Sequence, residues 1–255
     1  MPVDIAALAD KLVAAGEAHT ATSPFAEEIG LTVDAAYDVQ DAVLARIPGP
    51  ITAAKIGLTS IAKQRQVNVD EPLYGWMTES MLFGTGGRGE FERSRLIQPR
   101  AEPEIAFRTS AELGGPDVTA EEVLAATDSI MPAIDILDSR FTGYEFTLAD
   151  VTADNSSAGG YILGEPSEVA SDLSLCGVVL VKNGEIIDTA AGAAVMDHPA
   201  ESMAWFVRKL HQRDRTLPAG TVVCAGAWTA ATPMEPGDVV VAEFDRYGKV
   251  EVVCR

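Results

Sequence analysis

Histidine, cysteine and positive charge are scarce in this chain, and each shortage removes a class of chemistry. Only His19, His198 and His211 occur, with no H-E-x-x-H helix, no G-x-S-x-G elbow and no P-loop signature, so zinc-protease, serine-hydrolase and P-loop readings lack their parts. Cys176, Cys224 and Cys254 are odd in number and show no C-x-x-C spacing, which suggests neither a disulfide framework nor a zinc site but reduced thiols. Lysine and arginine total 19 against 38 acidic residues, a formal charge of -19. Phosphate recognition needs clustered cations, so nucleic acid and anionic membranes are not expected partners. Nor is there a long apolar run near the N-terminus. Asp4, Asp10 and Lys11 interrupt the pattern that a signal peptide or membrane span requires, and a cytoplasmic protein is expected.

What is present is enough apolar material for a large core: 47% of 255 residues. Ile5, Leu8, Leu12 and Val13 recur at helical spacing, and Thr32 can cap a second helix with Ala36, Val39, Val43 and Ile47 on one face. Thr119-Ala120-Glu121-Glu122 is a capping box that predicts a helix of about three turns carrying Val123, Leu124 and Ile130. From Gly177 the chain turns mainly to strand, with Asn183-Gly184 predicting a type I′ hairpin, and His198-Pro199 opening one more helix. The pattern predicts an α+β fold: a mainly helical lobe over residues 1–80 and a β-rich catalytic body over 81–255, together one continuous unit. Gly84-Thr85-Gly86-Gly87-Arg88-Gly89 matches G-x-G-x-x-G in letters only. No β-rich strand precedes it and no amphipathic helix follows, so a flexible turn is expected there instead of a dinucleotide site.

The chemistry concentrates around Arg100 to Phe107. Glu102 and Glu104 stand two apart ahead of an apolar run, and on an extended strand both project from one face. Either they lie on a solvated edge, or one holds a proton, or a hard divalent ion sits between them; oxygen-only ligands favour Mg²⁺, Ca²⁺ or Mn²⁺. Asp135, flanked by Ile134 and Ile136, faces away from both and is a candidate third ligand, the alternative being bonds to backbone amides or to Arg140. Lys55 has apolar neighbours and either snorkels to the surface or faces an anion. Asp154-Asn155-Ser156-Ser157 offers four short polar side chains that cap and turn a loop or line a site. Acids, one lysine and a polar loop suit stabilisation of an enolate derived from an α-keto carboxylate.

Taken together, Lys55-Ile56-Gly57-Leu58-Thr59-Ser60, Pro99 to Phe107, Asp138-Ser139-Arg140, Ala153 to Ser157 and Gly192 through His198-Pro199 resemble the hydratase/decarboxylase family of meta-cleavage pathways, within the fumarylacetoacetase-like superfamily. The resemblance implies a mixed β-roll or barrel after the helical lobe, Mg²⁺ or Mn²⁺ as cofactor, a small 2-oxo dicarboxylate as substrate, and homo-oligomers, with a possible complex between decarboxylase and hydratase partners. It assigns the metal to Glu102, Glu104 and Asp135, makes Lys55 a catalytic candidate, and brings Asp154 and Ser156 near the substrate. The family commonly has Glu at the third position; the shorter Asp135 requires a closer strand or an intervening water. Where the hydratase branch usually reads Gln-Pro-Asp-Phe-Gly, this chain has Glu71-Pro72-Leu73-Tyr74-Gly75, and Tyr144-Glu145-Phe146 resembles the aromatic-x-aromatic step of the decarboxylases. Decarboxylation of 2-oxohex-3-enedioate is therefore the expected activity, with 2-hydroxypenta-2,4-dienoate hydration as the alternative and a non-catalytic partner subunit as a third reading.

Overall fold

The helices at the start of the chain begin where a side chain can satisfy their free amides. In the computed structural model, which describes residues 3–60, 64–65, 69, 71–170 and 172–255, Asp4 caps α1 (Ile5–Glu17) by accepting from the Ala7 amide at 3.0 Å. A short α2 (Ala26–Ile29) ends at Gly30 in the left-handed region, and Thr32 caps α3 (Val33–Leu44). Their apolar faces meet each other and Phe141, Ala149 and Ala153 in one cluster. None of the described helices is long and apolar enough to cross a membrane.

The remainder is a mixed sheet of 13 strands curled into a half-barrel. In chain order these are β1 (Ile51–Gly57), β2 (Leu73–Thr78), β3 (Leu82–Thr85), β4 (Arg88–Phe91), β5 (Arg100–Thr109), β6 (Thr127–Leu137), β7 (Ala158–Leu163), β8 (Gly177–Lys182), β9 (Glu185–Ala191), β10 (Val222–Cys224), β11 (Thr232–Pro233), β12 (Val239–Phe244) and β13 (Gly248–Cys254). Neighbours run β2-β1-β10-β5-β6-β7-β3-β4-β13-β12-β8-β9, with β11 added beside β5. Three more helices, α4 (Ala120–Ala125), α5 (Leu148–Ala153) and α6 (Pro199–His211), connect or cover the strands. Residues 1–80 are therefore not helical alone: β1 and β2 lie within them, and both are hydrogen-bonded into the sheet.

Local signals hold where they are strongest. Asn183 and Gly184 both have positive φ (54° and 85°), as a type I′ turn between β8 and β9 requires. Gly86 and Gly87 turn β3 into β4, so the glycine-rich segment is a hairpin tip. One expectation fails. The capping box at Thr119 forms, but α4 has six residues instead of three turns, and Ile130 lies in β6. Thr127, Ser129 and Ile130 pair with β5 over a long ladder, and that tertiary pairing overrides the helical start.

Candidate active site

β5 and β6 run antiparallel with Glu102 opposite Asp135 and Glu104 opposite Ala133. Successive residues of a strand alternate faces, so Glu102, Glu104 and Asp135 emerge together while Ile134 and Ile136 enter the core. Their carboxylate oxygens lie within 4.8 Å of one another and all three residues are buried. The shorter Asp135 is accommodated because it sits directly across the ladder from Glu102.

The lysine comes from two strands away. β1 joins the sheet through β10, which pairs with β5, and this order brings Lys55, 1% exposed, into a salt bridge with the 0% exposed Asp135. Burial alone would lower the Lys55 pKa, but the charges of Asp135, Glu102 and Glu104 outweigh it and the group is held above its ordinary value as an ammonium. Glu104 moves the same way for a different reason: burial and the Asp135 charge raise it well above the carboxylate range, against the opposing pull of Lys55 and the Gly226 amide, which donates to its Oε2 at 2.7 Å. Cys224, opposite Lys55 in the register, is kept a neutral thiol by burial and by Glu104 and Asp135. Fully ionised, three carboxylates against one ammonium would leave two negative charges in a buried place; a proton on Glu104 relieves part of that, and one divalent cation would offset all of it. An all-oxygen donor set suits a hard ion.

Glu102 and Lys55 open onto a cavity whose other walls include Gly57, Leu73, Leu137, Tyr144, Phe146, Val151, Ser156, Ser157 and Ala227. Its walls are mostly apolar. Tyr144 and Phe146 stand on the segment before α5, with the Tyr144 hydroxyl donating to the Gln98 carbonyl at 3.0 Å. Burial, with Asp138, raises the pKa of this phenol and keeps it neutral.

Ser156 reaches the cavity on an unusual backbone. Asn155, Ser156 and Ser157 have φ of 51°, 56° and 52°, three consecutive non-glycine residues in the left-handed region, each of which costs about 1–3 kcal/mol. The surrounding structure imposes the turn. The Asn155 side chain accepts from the Trp76 amide at 2.8 Å and donates to the Trp76 carbonyl at 2.7 Å, gripping β2 as a further strand would. Gln40 of α3 donates to the carbonyls of Tyr74 and Thr152, tying helix, strand and loop together.

Asp154 is placed differently from its neighbour. It does not line the cavity: it is buried behind the loop in an ion pair with Arg140, whose backbone amide also donates to Asp154 at 3.0 Å. Burial raises its pKa to about 6, with Arg140 pulling the other way. Arg140 thus serves Asp154, leaving Asp135 to Lys55. Asp138 is consumed by the amides of Ile97 and Gln98. Of the polar loop, Ser156 and Ser157 line the cavity and Asp154 and Asn155 hold them there.

Sequence reasoning missed the two glycines that admit this loop. A Cβ on Gly57 would lie 2.9 Å from the Ser156 Oγ, and one on Gly75 would lie 2.9 Å from the Ser156 Cβ and closer still to the Asn155 carbonyl oxygen. The available signal was a glycine inside each of two apolar strands, which marks close approach of another backbone. Gly75→Ala is expected to push the loop off β2, destabilise the fold by about 1–3 kcal/mol and lower turnover. Affinity for a divalent cation should hold, because the acids lie on β5 and β6. Thermal denaturation and calorimetric cation titration read the two effects separately; an intact turnover rate would refute the role of the glycine.

The chain matches the family described as fumarylacetoacetate (FAA) hydrolase C-terminal over residues 52–254. Among curated relatives, a 4-oxalocrotonate decarboxylase of Pseudomonas sp. (strain CF600) is 39% identical over 84% of this chain and 82% of its own length. A 2-keto-4-pentenoate hydratase of Paraburkholderia xenovorans (strain LB400) is 35% identical over 86% and 83%. Among solved structures, 4-oxalocrotonate decarboxylase from Pseudomonas putida G7, complexed with magnesium and adipate, superposes with a TM-score of 0.93 at 34% identity, covering 98% of this chain and 97% of that one.

Proposed function

We propose, from the premise that this chain belongs to the FAA hydrolase C-terminal family, that it is a lyase converting 2-oxohex-3-enedioate into carbon dioxide and 2-hydroxypenta-2,4-dienoate. Relatives of both reaction types are similar to it, so the choice between them rests on the pocket. The observation that carries the choice is Leu73, a wall of the cavity beside Lys55 and Glu102 at the position where the hydratase pattern has an acid. A leucine neither activates nor orients water.

Glu102, Glu104 and Asp135 would hold Mg²⁺ or Mn²⁺, for which the charge deficit and the oxygen donors are suited. When bound, such an ion supplies Lewis-acid stabilisation of negative charge developing on a substrate oxygen. In the reaction the C5–C6 bond breaks, its electron pair passes through the C3–C4 double bond to the C2 oxygen, and C6 leaves as carbon dioxide. Lys55, held as an ammonium, is a donor toward that oxygen and not a base. Leu73, Leu137, Phe146 and Val151 keep water from the leaving carboxylate. Ser156 lines the pocket as a substrate contact, and Asp154 acts behind it by fixing the loop.

Residues 1–80 and 81–255 work as one catalytic unit in this reading, since the first supplies Lys55 and Leu73 and the second the acids. A homo-oligomer, and a complex with a hydratase, are the expected assemblies; exposed Leu175, Ile186 and Ile187 around the outer β9 strand support association. Incubation of the purified protein with Mg²⁺ and 2-oxohex-3-enedioate, following carbon dioxide and dienol together, should give both in equal amounts, with chelator stopping the reaction. Hydration of the dienol without release of carbon dioxide would make it a hydratase. Inertness toward both compounds would make it a partner subunit.

A further inference from the structure

Arg100 opens the strand that carries the two glutamates, and the reaction as derived gives it no task. It faces the site. In the β5–β6 ladder Arg100 is opposite Leu137, two residues before the Glu102–Asp135 pair, so both pairs lie on one face. Leu137 and Tyr144 both line the cavity, and the Arg100 guanidinium sits over the Tyr144 ring at 3.9 Å from its centroid. Among the described residues Arg100 makes no ion pair, and its ring contact is its interaction. The acids that could have neutralised it are engaged: Asp138 by the amides of Ile97 and Gln98, and Asp154 by Arg140. Lys55, the cation that lines the cavity itself, is committed to Asp135.

We propose that Arg100 binds the substrate carboxylate that lies farther from the three acids, and so selects dicarboxylates over monocarboxylates. Two residues of strand span roughly 6.6 Å. Five C–C bonds of about 1.5 Å in an extended zigzag span roughly 6 Å, so a six-carbon diacid bridges from the acid cluster to Arg100. Stacking on Tyr144 fixes the guanidinium plane in advance and leaves its N–H fork available, which suits two-point binding of a carboxylate. In a chain of net charge -19, a dianion also needs a local cation at the mouth to enter.

The identity of the substrate rests on the proposed reaction; the recognition of a second carboxylate does not. In that reaction the carboxylate held by Arg100 departs as neutral carbon dioxide, so the ion pair is strongest before the C5–C6 bond breaks. Its loss therefore registers in KM more than in kcat.

The test uses the Mg²⁺-loaded full chain and two saturated probes, adipate and hexanoate, in calorimetric titrations. Wild type should bind adipate at least about tenfold more tightly than hexanoate, the worth of one charge-assisted pair. Arg100→Gln should bring the two within about twofold while Mg²⁺ affinity is unchanged. Arg100→Met, which keeps an apolar stem over Tyr144, is the second variant should the first fail to fold. A wild-type preference for adipate that survives in whichever variant folds overturns the proposal. The two readings fail separately: an Arg100-dependent preference in a protein that releases no carbon dioxide sinks only the reaction, whereas carbon dioxide release with a preference independent of Arg100 sinks only the carboxylate site.

Discussion

Glu104→Gln is expected to abolish divalent-cation binding and to lower kcat/KM by about 10³-fold or more, since a bound cation contributes several kcal/mol to stabilising the developing charge. The side chain is 1% exposed, and its only escape from burial as an anion is a cation beside it or a proton upon it. Glutamine has the same shape, and its carbonyl oxygen can still accept from the Gly226 amide, so the strand should stay in place. The variant should thus fold with a thermal stability near that of metal-free wild type. What it cannot do is contribute the charge that, with Glu102 and Asp135, leaves a deficit for a divalent ion. Calorimetric titration with Mg²⁺ and Mn²⁺, alongside turnover with and without chelator, checks both halves. Full activity of the variant in the presence of chelator would remove the metal from the mechanism.

Lys55→Met separates the structural and chemical roles of the lysine. The ammonium pairs with Asp135 at the buried centre of the cluster, and removing one partner of a buried pair costs about 3–5 kcal/mol. Metal-free Lys55→Met should therefore melt well below wild type at neutral pH, although methionine replaces most of the lysine stem. Adding Mg²⁺ should recover a large part of that loss, because a cation bound by the acids takes over the neutralisation. Turnover should not recover. The donor toward the substrate oxygen is gone, and positioned acid–base groups of this kind contribute about 10²–10⁴-fold. Equal melting temperatures for metal-free variant and wild type would show that Lys55 does not hold the acids together; recovery of turnover with Mg²⁺ would show that it has no chemical task.

Both expectations depend on a cluster that the chain announces only in part. Alternation of side chains along a strand is a local property, so the shared face of Glu102 and Glu104, and the separation of Asp135 from Ile134 and Ile136, were legible in the sequence. The helix caps at Thr32, Thr119 and His198 and the Asn183-Gly184 hairpin were legible for the same reason, since a few neighbouring residues set them. The extent of α4 was not. Its end is set by the β5–β6 ladder, a contact between segments that the local helix pattern does not contain.

Partner choice belongs wholly to the tertiary structure. Asp135 had Arg140 five positions away, yet it pairs with Lys55, eighty positions away, because the order β1-β10-β5-β6 carries that lysine across the sheet. Arg140 turns instead to Asp154 and secures the left-handed loop that presents Ser156. The same folding gathers Leu73, Leu137, Tyr144 and Phe146 around the acids and lays Arg100 on the tyrosine ring. By itself, then, the sequence determined which groups exist, their spacing and the face each takes within its own strand, since backbone dihedral preferences and hydrophobic alternation act over a few residues. Which charge neutralises which, and which apolar walls surround them, was decided only by strand order and packing, because electrostatic and van der Waals contacts depend on distance in space and not along the chain.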